Sequence, residues 1–276
     1  ELSNCIAHLG GLTGDLFRPR EAMQRGKDAA IKALEIDPSL AQGHNSLGFV
    51  LSYYEWDWSG GESAFERAIE LNPGYAYARV YLADHLSRMG RNQEGFEQVK
   101  RAQELDPFDL HVNSLHGLFL ILMGQPDQAI DQLEATLELD PQYPSAHRFL
   151  GFAYRRKQMY DEAIREFQTA LAVAGPRSIA DLSYLGNANA VAGRRAEALD
   201  ILQDLDKRSK GQYVPAFARV PIYTGLGEID QAFVWLEKAY EERSPFLSYV
   251  KVGANLDPLR SDPRFQDFMR RMNFPE

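Results

Sequence analysis

The residue types best suited to chemistry are scattered along this chain. Its six histidines are His8, His44, His85, His111, His116 and His147. A metal site needs three or four His, Cys, Asp or Glu ligands held close together. His111 and His116 are five residues apart with no carboxylate at ligand spacing, so we expect no metal site. His116 takes an apolar position of a helical pattern, and we expect it to be partly buried and hydrogen-bonded.

The sequence offers a single cysteine as a candidate thiol nucleophile and no phosphate-binding loop motif. Cys5 is the only cysteine and has no identifiable histidine partner, which favours a buried or terminal thiol over a nucleophile. The carboxylate pairs Asp161-Glu162 and Glu241-Glu242 fit solvated helix starts and polar faces. Neither a Gly-Lys-Ser/Thr loop nor a Gly-x-Gly-x-x-Gly turn occurs. We therefore expect no enzymatic role and no cofactor or metal ion.

Composition describes a chain that can bury a core. Of 276 residues, 45% are hydrophobic and 25% charged, which excludes intrinsic disorder. The single cysteine excludes a disulfide framework and fits a reducing compartment, so we expect a cytoplasmic protein. No apolar run reaches the roughly 18–20 residues of a membrane span. A net charge of -9 argues against nucleic acid as a partner, since the basic stretches Arg155–Lys157 and Arg270-Arg271 are short.

Three series of residues recur in one register. Helices are predicted to end in phrases such as Leu-Glu-Ile-Asp-Pro, which place prolines at Pro38, Pro73, Pro107 and Pro141. A turn series runs Gly90, Gly124, Gln158, Gly193, Gly227. Small residues follow five places later, at Gly95, Ala129, Ala163, Ala198 and Ala232. The shared spacing of 34 or 35 residues predicts a repeated structural element.

Each repeat is predicted to be a pair of helices. In one, Leu150 and Gly151 lie on the first helix, and a second helix runs from Asp161 to about Val173 with Ala163 on its apolar stripe. Small residues at Gly151 and Ala163 let the two backbones approach. We expect the Asp or Asn of each Asp-Pro or Asn-Pro pair to cap amides and the proline to enter the first helical turn. No pair can bury its stripe alone, so neighbours must stack into an all-α, α-α superhelix.

This pattern resembles the tetratricopeptide repeat. The match is strongest in the repeat from Pro144, through Leu150, Gly151, Tyr154, Tyr160, Ala163, Phe167 and Ala170. We predict a single solenoid over 1–276, with full repeats at 41–75, 76–109, 110–143, 144–178, 179–212 and 213–246. A partial repeat with an insertion of about 11 residues occupies 1–38, and a cap covering the last repeat occupies 247–276. Because Glu1 falls inside a helical pattern, we expect the chain to continue a longer protein.

The resemblance implies that the first helix of each repeat lines a concave groove. Its groove positions give the candidate partner-binding residues Asn45, Phe49, Tyr53, Tyr77, Asp84, Leu118, Arg148, Phe152, Arg155 and Asn187. Such a lining, exposed and aromatic at its start and basic in the fourth repeat, favours a protein or peptide segment with apolar anchors and an acidic group. The other interpretation is that apolar groove residues are filler covered by a neighbouring helix. Asn45, Phe49, Val80 and Asp84 depart from the residues with which the family's chaperone-tail binders hold a C-terminal carboxylate, which argues against a chaperone tail as the partner.

A narrower resemblance implies a second function. The Tyr53–Trp58 insertion and the 257–265 tail look like bacterial multidomain regulators whose tetratricopeptide region follows a winged-helix, cyclase or kinase domain. The chain is then a sensor or oligomerisation module of a larger signalling or transcription-regulating protein, and self-association is possible. Trp56 and Trp58 are expected to clamp the junction between two repeats.

Overall fold

The computed structural model describes residues 19–175 and 178–275, and across these two ranges it contains helices and no strand. The α-helices are α1 (Pro19–Ile36), α2 (Ala41–Val50), α3 (Trp58–Leu71), α4 (Ala76–Arg88), α5 (Asn92–Leu105), α6 (Leu110–Leu122), α7 (Pro126–Leu139), α8 (Pro144–Arg156), α9 (Tyr160–Ala174), α10 (Ile179–Val191), α11 (Arg195–Arg208), α12 (Val220–Gly225), α13 (Ile229–Glu241) and α14 (Pro263–Arg271). Short 3-10 helices lie at Ala216–Arg219, Pro245–Tyr249 and Ala254–Leu259. The all-α fold class predicted from the sequence is confirmed, while Cys5 and residues 1–18 of the predicted partial repeat lie outside the described residues.

The Asp-Pro and Asn-Pro turns are closed by two kinds of side-chain contact. In each turn the Asp or Asn oxygen accepts the amide two residues later, as Asp37 does from Ser39, Asn72 from Gly74, Asp106 from Phe108 and Asp140 from Gln142. The fourth residue of each following helix bonds the proline carbonyl, as in His44–Pro38, Arg79–Pro73, Asn113–Pro107 and His147–Pro141, at 2.9–3.4 Å. The expectation that these prolines enter the first helical turn is wrong, because each lies in a turn that ends before the helix begins.

Turn residues between the two helices of a repeat share a left-handed backbone. Gly90, Gly124, Gly193 and Gly227 have φ between 74° and 84°. Gln158, which replaces glycine in this series, adopts φ 61°. Glycine takes this conformation without steric cost, whereas a side chain is strained there. The recurring turn residues of the sequence therefore mark positions where the backbone must be left-handed.

Small residues on the first helices are covered by large side chains from the second helices. A Cβ added at Gly151 would lie 2.6 Å from the Phe167 ring, and one at Gly117 would lie 2.5 Å from Leu133. Phe167 and Leu133 are fully buried. The close helix approach expected at Gly151 is therefore present in the structure, and Ala163 is fully buried.

Contacts divide the chain into two compact units. One, here named the terminal unit, consists of the described residues of Glu1–Leu105 and Glu237–Glu276. The other, the central unit, is Asp106–Leu236. In the central unit, the buried residues Leu182, Leu202 and Ile222 belong to one core cluster. In the terminal unit, Met23, Phe49 and Phe65 belong to another.

The C-terminal segment, defined here as residues 242–275 after α13, packs against the first two full repeats as well as against α13. Phe268 meets the ring of Tyr240 on α13 at 5.6 Å, as expected for a cap. In addition, the indole nitrogen of Trp58 donates to the carbonyl of Met272 at 3.2 Å, and Trp58 stacks on Phe274 at 4.4 Å. The segment therefore packs on the first two full repeats in addition to the last one, and it belongs to the same compact unit as the first two.

The first repeat also departs from regular helix geometry. After Val50 its first helix continues as a π-helix over Leu51–Glu55, and Trp56 ends it with φ 58°. Between the starts of its two helices this repeat has one residue more than the following four. A π-turn accommodates one extra residue inside a helix and is frequent at functional sites.

Candidate partner-binding surface

In the terminal unit, most of the predicted groove residues are covered. Asn45, Phe49 and Tyr53 are 1%, 3% and 6% exposed. The Phe49 ring stacks on Tyr53 at 4.1 Å and meets Tyr81 edge-on at 5.6 Å. The expectation of an exposed aromatic start to the groove is therefore wrong for Phe49 and Tyr53, because neighbouring aromatic rings enclose them. Tyr77 remains 38% exposed.

Asp84 is the centre of a polar cluster that covers this part of the lining. Its carboxylate accepts hydrogen bonds from the Tyr53 hydroxyl and the Arg88 guanidinium. The hydroxyl of Tyr249 donates to the same carboxylate, 3.1 Å from Oδ1 and 3.0 Å from Oδ2. Arg88 is fully buried, with its guanidinium carbon 3.4 Å from the Tyr53 ring centroid and 4.9 Å from that of Tyr249. A residue of the C-terminal segment therefore fills the place where the sequence put a partner.

The charges in this cluster are compensated internally. Burial raises the pKa of the Tyr53 and Tyr249 hydroxyls, so both are neutral donors at physiological pH. Burial works against the charge of Arg88, but the Asp84 carboxylate keeps the pKa of the guanidinium above its usual value. The result is a buried ion pair between two tyrosine rings. Sequence reasoning placed Asp84 and Tyr53 in the groove but missed Tyr249, which lies outside the repeat register.

Beside it, Ser52 and His85 form a hydrogen-bonded pair that resembles a nucleophile and its base. Ser52 Oγ lies 2.7 Å from His85 Nδ1, and His85 Nε2 lies 3.7 Å from the Glu62 carboxylate. Burial and then the charge of Arg88 lower the pKa of His85 to about 4. Ser52 and His85 are completely buried, so this hydroxyl cannot reach a substrate in the structure. The pair instead ties α4 to the π-helix of the first repeat.

Trp56 and Trp58 are both buried, as expected for structural residues. The Trp56 ring packs on Tyr240 at 5.3 Å, and the guanidinium of Arg243 lies 4.7 Å above it. Trp58 approaches His85 of the second repeat at 6.4 Å. The predicted clamp between neighbouring repeats is therefore accompanied by contacts with the C-terminal segment.

In the central unit, the predicted lining is partly accessible. Leu118, Arg148, Phe152 and Arg155 are all half-buried on first helices. The Phe152 ring lies 6.1 Å from Phe149 and 4.8 Å, edge-on, from Tyr184 of the next first helix. All three rings keep part of their surface accessible. Together they form an aromatic cluster across α8 and α10.

Polar contacts hold the first helices of the central unit together. Arg148 bonds both carboxylate oxygens of Asp181, with Nη2 3.0 Å from Oδ2, and Asp181 is fully buried. Arg155 donates to the amide oxygen of Asn187 at 3.2 Å, and Asn187 donates in turn to the carbonyl of Pro221 at 2.7 Å. Arg148 and Asn187 therefore position neighbouring helices. Because Asn187 is only 3% exposed, its place in the groove offers no free side chain.

The last residues of the first helices α6, α8 and α10 add accessible or partly accessible side chains to this lining. Leu122 is half-buried, Arg156 is exposed, and Val191 is 36% exposed. Arg156 carries a positive charge on a chain with a net charge of -9. These residues and the Phe149, Phe152 and Tyr184 rings define the central surface.

Among residues 19–175 and 178–275, no group of three or more His, Cys, Asp or Glu residues is placed to hold a metal ion. His116 is partly buried, as expected. Within the same residues, no helix combines the length and apolar character needed to cross a bilayer.

Comparisons with known proteins agree with the repeat pattern. Family models described as tetratricopeptide repeat match residues 56–109 and 120–183. No curated protein sequence matches the chain significantly. The resemblance to multidomain regulators stays a prediction.

Several solved structures share the fold. A Pseudomonas aeruginosa pilF structure is 23% identical, with a TM-score of 0.52, and the match covers 76% of this chain and 93% of that one. A tetratricopeptide repeat protein from Parabacteroides merdae is 14% identical, with a TM-score of 0.59 and coverages of 84% and 93%. In the Cut9–Hcn1 hetero-tetramer of the APC/C, a chain 17% identical gives a TM-score of 0.60, covering 88% of this chain and 45% of that one. The chain therefore shares the all-helical fold of these structures, and its residues 56–109 and 120–183 match the tetratricopeptide repeat.

Proposed function

We propose that this chain is a protein-interaction scaffold that binds a peptide or protein segment on the central surface. The observation that carries the proposal is the partly accessible aromatic cluster of Phe149, Phe152 and Tyr184 on the first helices of two adjacent repeats. Large aromatic side chains supply much of the binding energy at protein interfaces. In the terminal unit the predicted lining residues Asn45, Phe49 and Tyr53 are buried, so the central unit keeps more of the predicted lining accessible.

Charge specifies the partner further. Arg156 is exposed on α8, and Arg155 precedes it. A carboxylate on a bound segment would meet these cations at the end of the helix, while an apolar anchor would cover the aromatic rings. The expected partner is therefore a segment with an aliphatic or aromatic anchor and a nearby acidic residue.

A peptide-display selection against the full chain tests this function. A random 12-residue library should yield peptides that combine an apolar anchor with Asp or Glu. Their binding should be lost when Arg156→Glu is introduced together with Val191→Asp. The matched control is Arg165→Glu with Val173→Asp, because these exposed residues lie on the second helix α9. Peptides that bind both double variants equally well would contradict the proposal.

A further inference from the structure

The C-terminal segment occupies the groove positions of the terminal unit as a ligand would. Tyr249 reaches Asp84 from 165 residues away in the sequence, with its hydroxyl 3.0 Å from Oδ2. Its ring also meets Tyr53 edge-on at 6.5 Å. Tyr53 and Asp84 were the positions predicted to hold a partner.

We propose that this place is a receptor for a tyrosine-bearing segment, filled in the free protein by Tyr249 and available to a tyrosine of another protein when the C-terminal segment is released. The recognition chemistry is visible in the contacts. Asp84 accepts the phenol hydroxyl, and the guanidinium of Arg88 lies against the face of the phenol ring. A phenylalanine would keep the ring contact but lose the hydroxyl that donates to the Asp84 carboxylate, so the receptor should prefer tyrosine.

Local geometry makes the bound segment easier to release than a helix of the repeats. Its residues form short 3-10 helices at Pro245–Tyr249 and Ala254–Leu259 instead of α-helix. Such helices have poorer hydrogen-bond geometry. Arg243, at the start of the segment, has a left-handed φ of 50°, and its contact residue Trp56 has φ 58°. Non-glycine residues pay a conformational cost for this backbone.

An unpaired polar group adds to that cost. The indole nitrogen of Trp56 is buried beneath Tyr240 and Arg243 without a hydrogen-bond acceptor. Release of the segment would let water reach this donor.

Apolar burial favours the occupied state. Leu247 and Val250, which flank Tyr249, are completely buried. An intramolecular ligand also benefits from an effective concentration on the order of millimolar. A partner's tyrosine must therefore compete with Tyr249 of the chain itself. A substitution that weakens the contacts of Tyr249 should make the receptor available to a partner.

A binding experiment on the full chain tests the receptor. The probe is a fluorescein-labelled peptide with the sequence of residues 243–255, measured by fluorescence anisotropy. The Tyr249→Ala chain should bind it at least tenfold more tightly than the wild-type chain. A probe with phenylalanine in place of its tyrosine, or a chain carrying Asp84→Ala as well as Tyr249→Ala, should lose most of that gain. Equal binding by the wild-type and Tyr249→Ala chains, or no dependence on the probe hydroxyl, would overturn the proposal.

Hydrogen exchange on the wild-type chain provides a test that needs no variant. Amides of 247–256 should exchange through local opening, at least tenfold faster than the interior amides of α4. Exchange of both sets at one common rate would mean that the segment leaves only on global unfolding, which would overturn the proposal. Neither experiment involves the central surface. If the receptor proposal fails in them, the proposal that a peptide binds the central surface is therefore unaffected.

Discussion

Gln158 adopts the same left-handed backbone as Gly124, with φ of 61° against 76°, one repeat apart. The two residues end the first helices α8 and α6 at equivalent turns. A Cβ at Gly124 would meet nothing within 4 Å, so backbone conformation alone distinguishes glycine from other residues there.

The relationship predicts that Gln158→Gly stabilises the chain. Removing the side chain from a left-handed residue should raise the free energy of unfolding by about 1 kcal/mol. Urea denaturation monitored by circular dichroism measures the change. The reciprocal variant Gly124→Gln should lose a similar amount, and a stabilising effect of Gly124→Gln would contradict the explanation.

Gly151→Ala should destabilise the chain for a different reason. The new methyl group would lie 2.6 Å from the buried Phe167 ring and force α8 away from α9. Overpacking of this kind costs about 1–3 kcal/mol. Gly211→Ala serves as the matched control, since nothing lies within 4 Å of its Cβ position. Thermal unfolding should separate the two variants, and equal midpoints would contradict the packing argument.

The Arg148–Asp181 ion pair predicts non-additive variants. Asp181→Leu removes the carboxylate that faces Arg148 and should cost about 3 kcal/mol, because a partly buried cation then lacks its counter-charge. Combining Arg148→Met with Asp181→Leu should recover most of this loss. A double-mutant cycle from denaturant unfolding measures the coupling free energy between the two residues. If the effects of the two single variants on the free energy of unfolding simply add, the predicted coupling is contradicted.

His85 predicts a pH dependence of stability. Its pKa in the folded chain is about 4, below the ordinary value of 6.5, because burial disfavours the charged ring. Its contribution to stability is complete above about pH 6.5 and is lost as the pH falls towards 4, amounting to about 3 kcal/mol.

The measurement compares the free energy of unfolding of the wild-type and His85→Gln chains between pH 6.5 and 4. Carboxylates titrate in both chains, so their effect cancels in the comparison. The wild type should therefore lose more unfolding free energy than the variant, because only the wild type carries His85. Parallel pH profiles would show that His85 is not the titrating group.

Much of the fold follows from the sequence because it depends on local requirements repeated along the chain. Glycine at left-handed turns leaves a regular signal at 34-residue spacing, and so do small first-helix residues such as Gly117 and Gly151, which face Leu133 and Phe167. The repeat boundaries themselves, the absence of catalysis and a cytoplasmic location stay predictions.

The occupied groove could not be predicted in the same way. Tyr249 lies outside the repeat register, and its contact with Asp84 spans 165 residues. Periodicity predicts neighbours in adjacent repeats and gives no information about contacts at such a separation. The only local signal was polar or charged side chains at helix positions that became buried, such as Ser52 and Arg88.

The most direct test of the central claim, that the central surface binds a peptide segment, is the affinity of one display-selected peptide for matched charge variants. Arg156→Glu should weaken binding of an acidic peptide at least tenfold, because it places a like charge beside the peptide's carboxylate. Arg165→Glu changes the net charge equally on the second helix α9 and should leave the affinity within twofold of wild type. Equal weakening by both variants, or none by Arg156→Glu, would contradict the account.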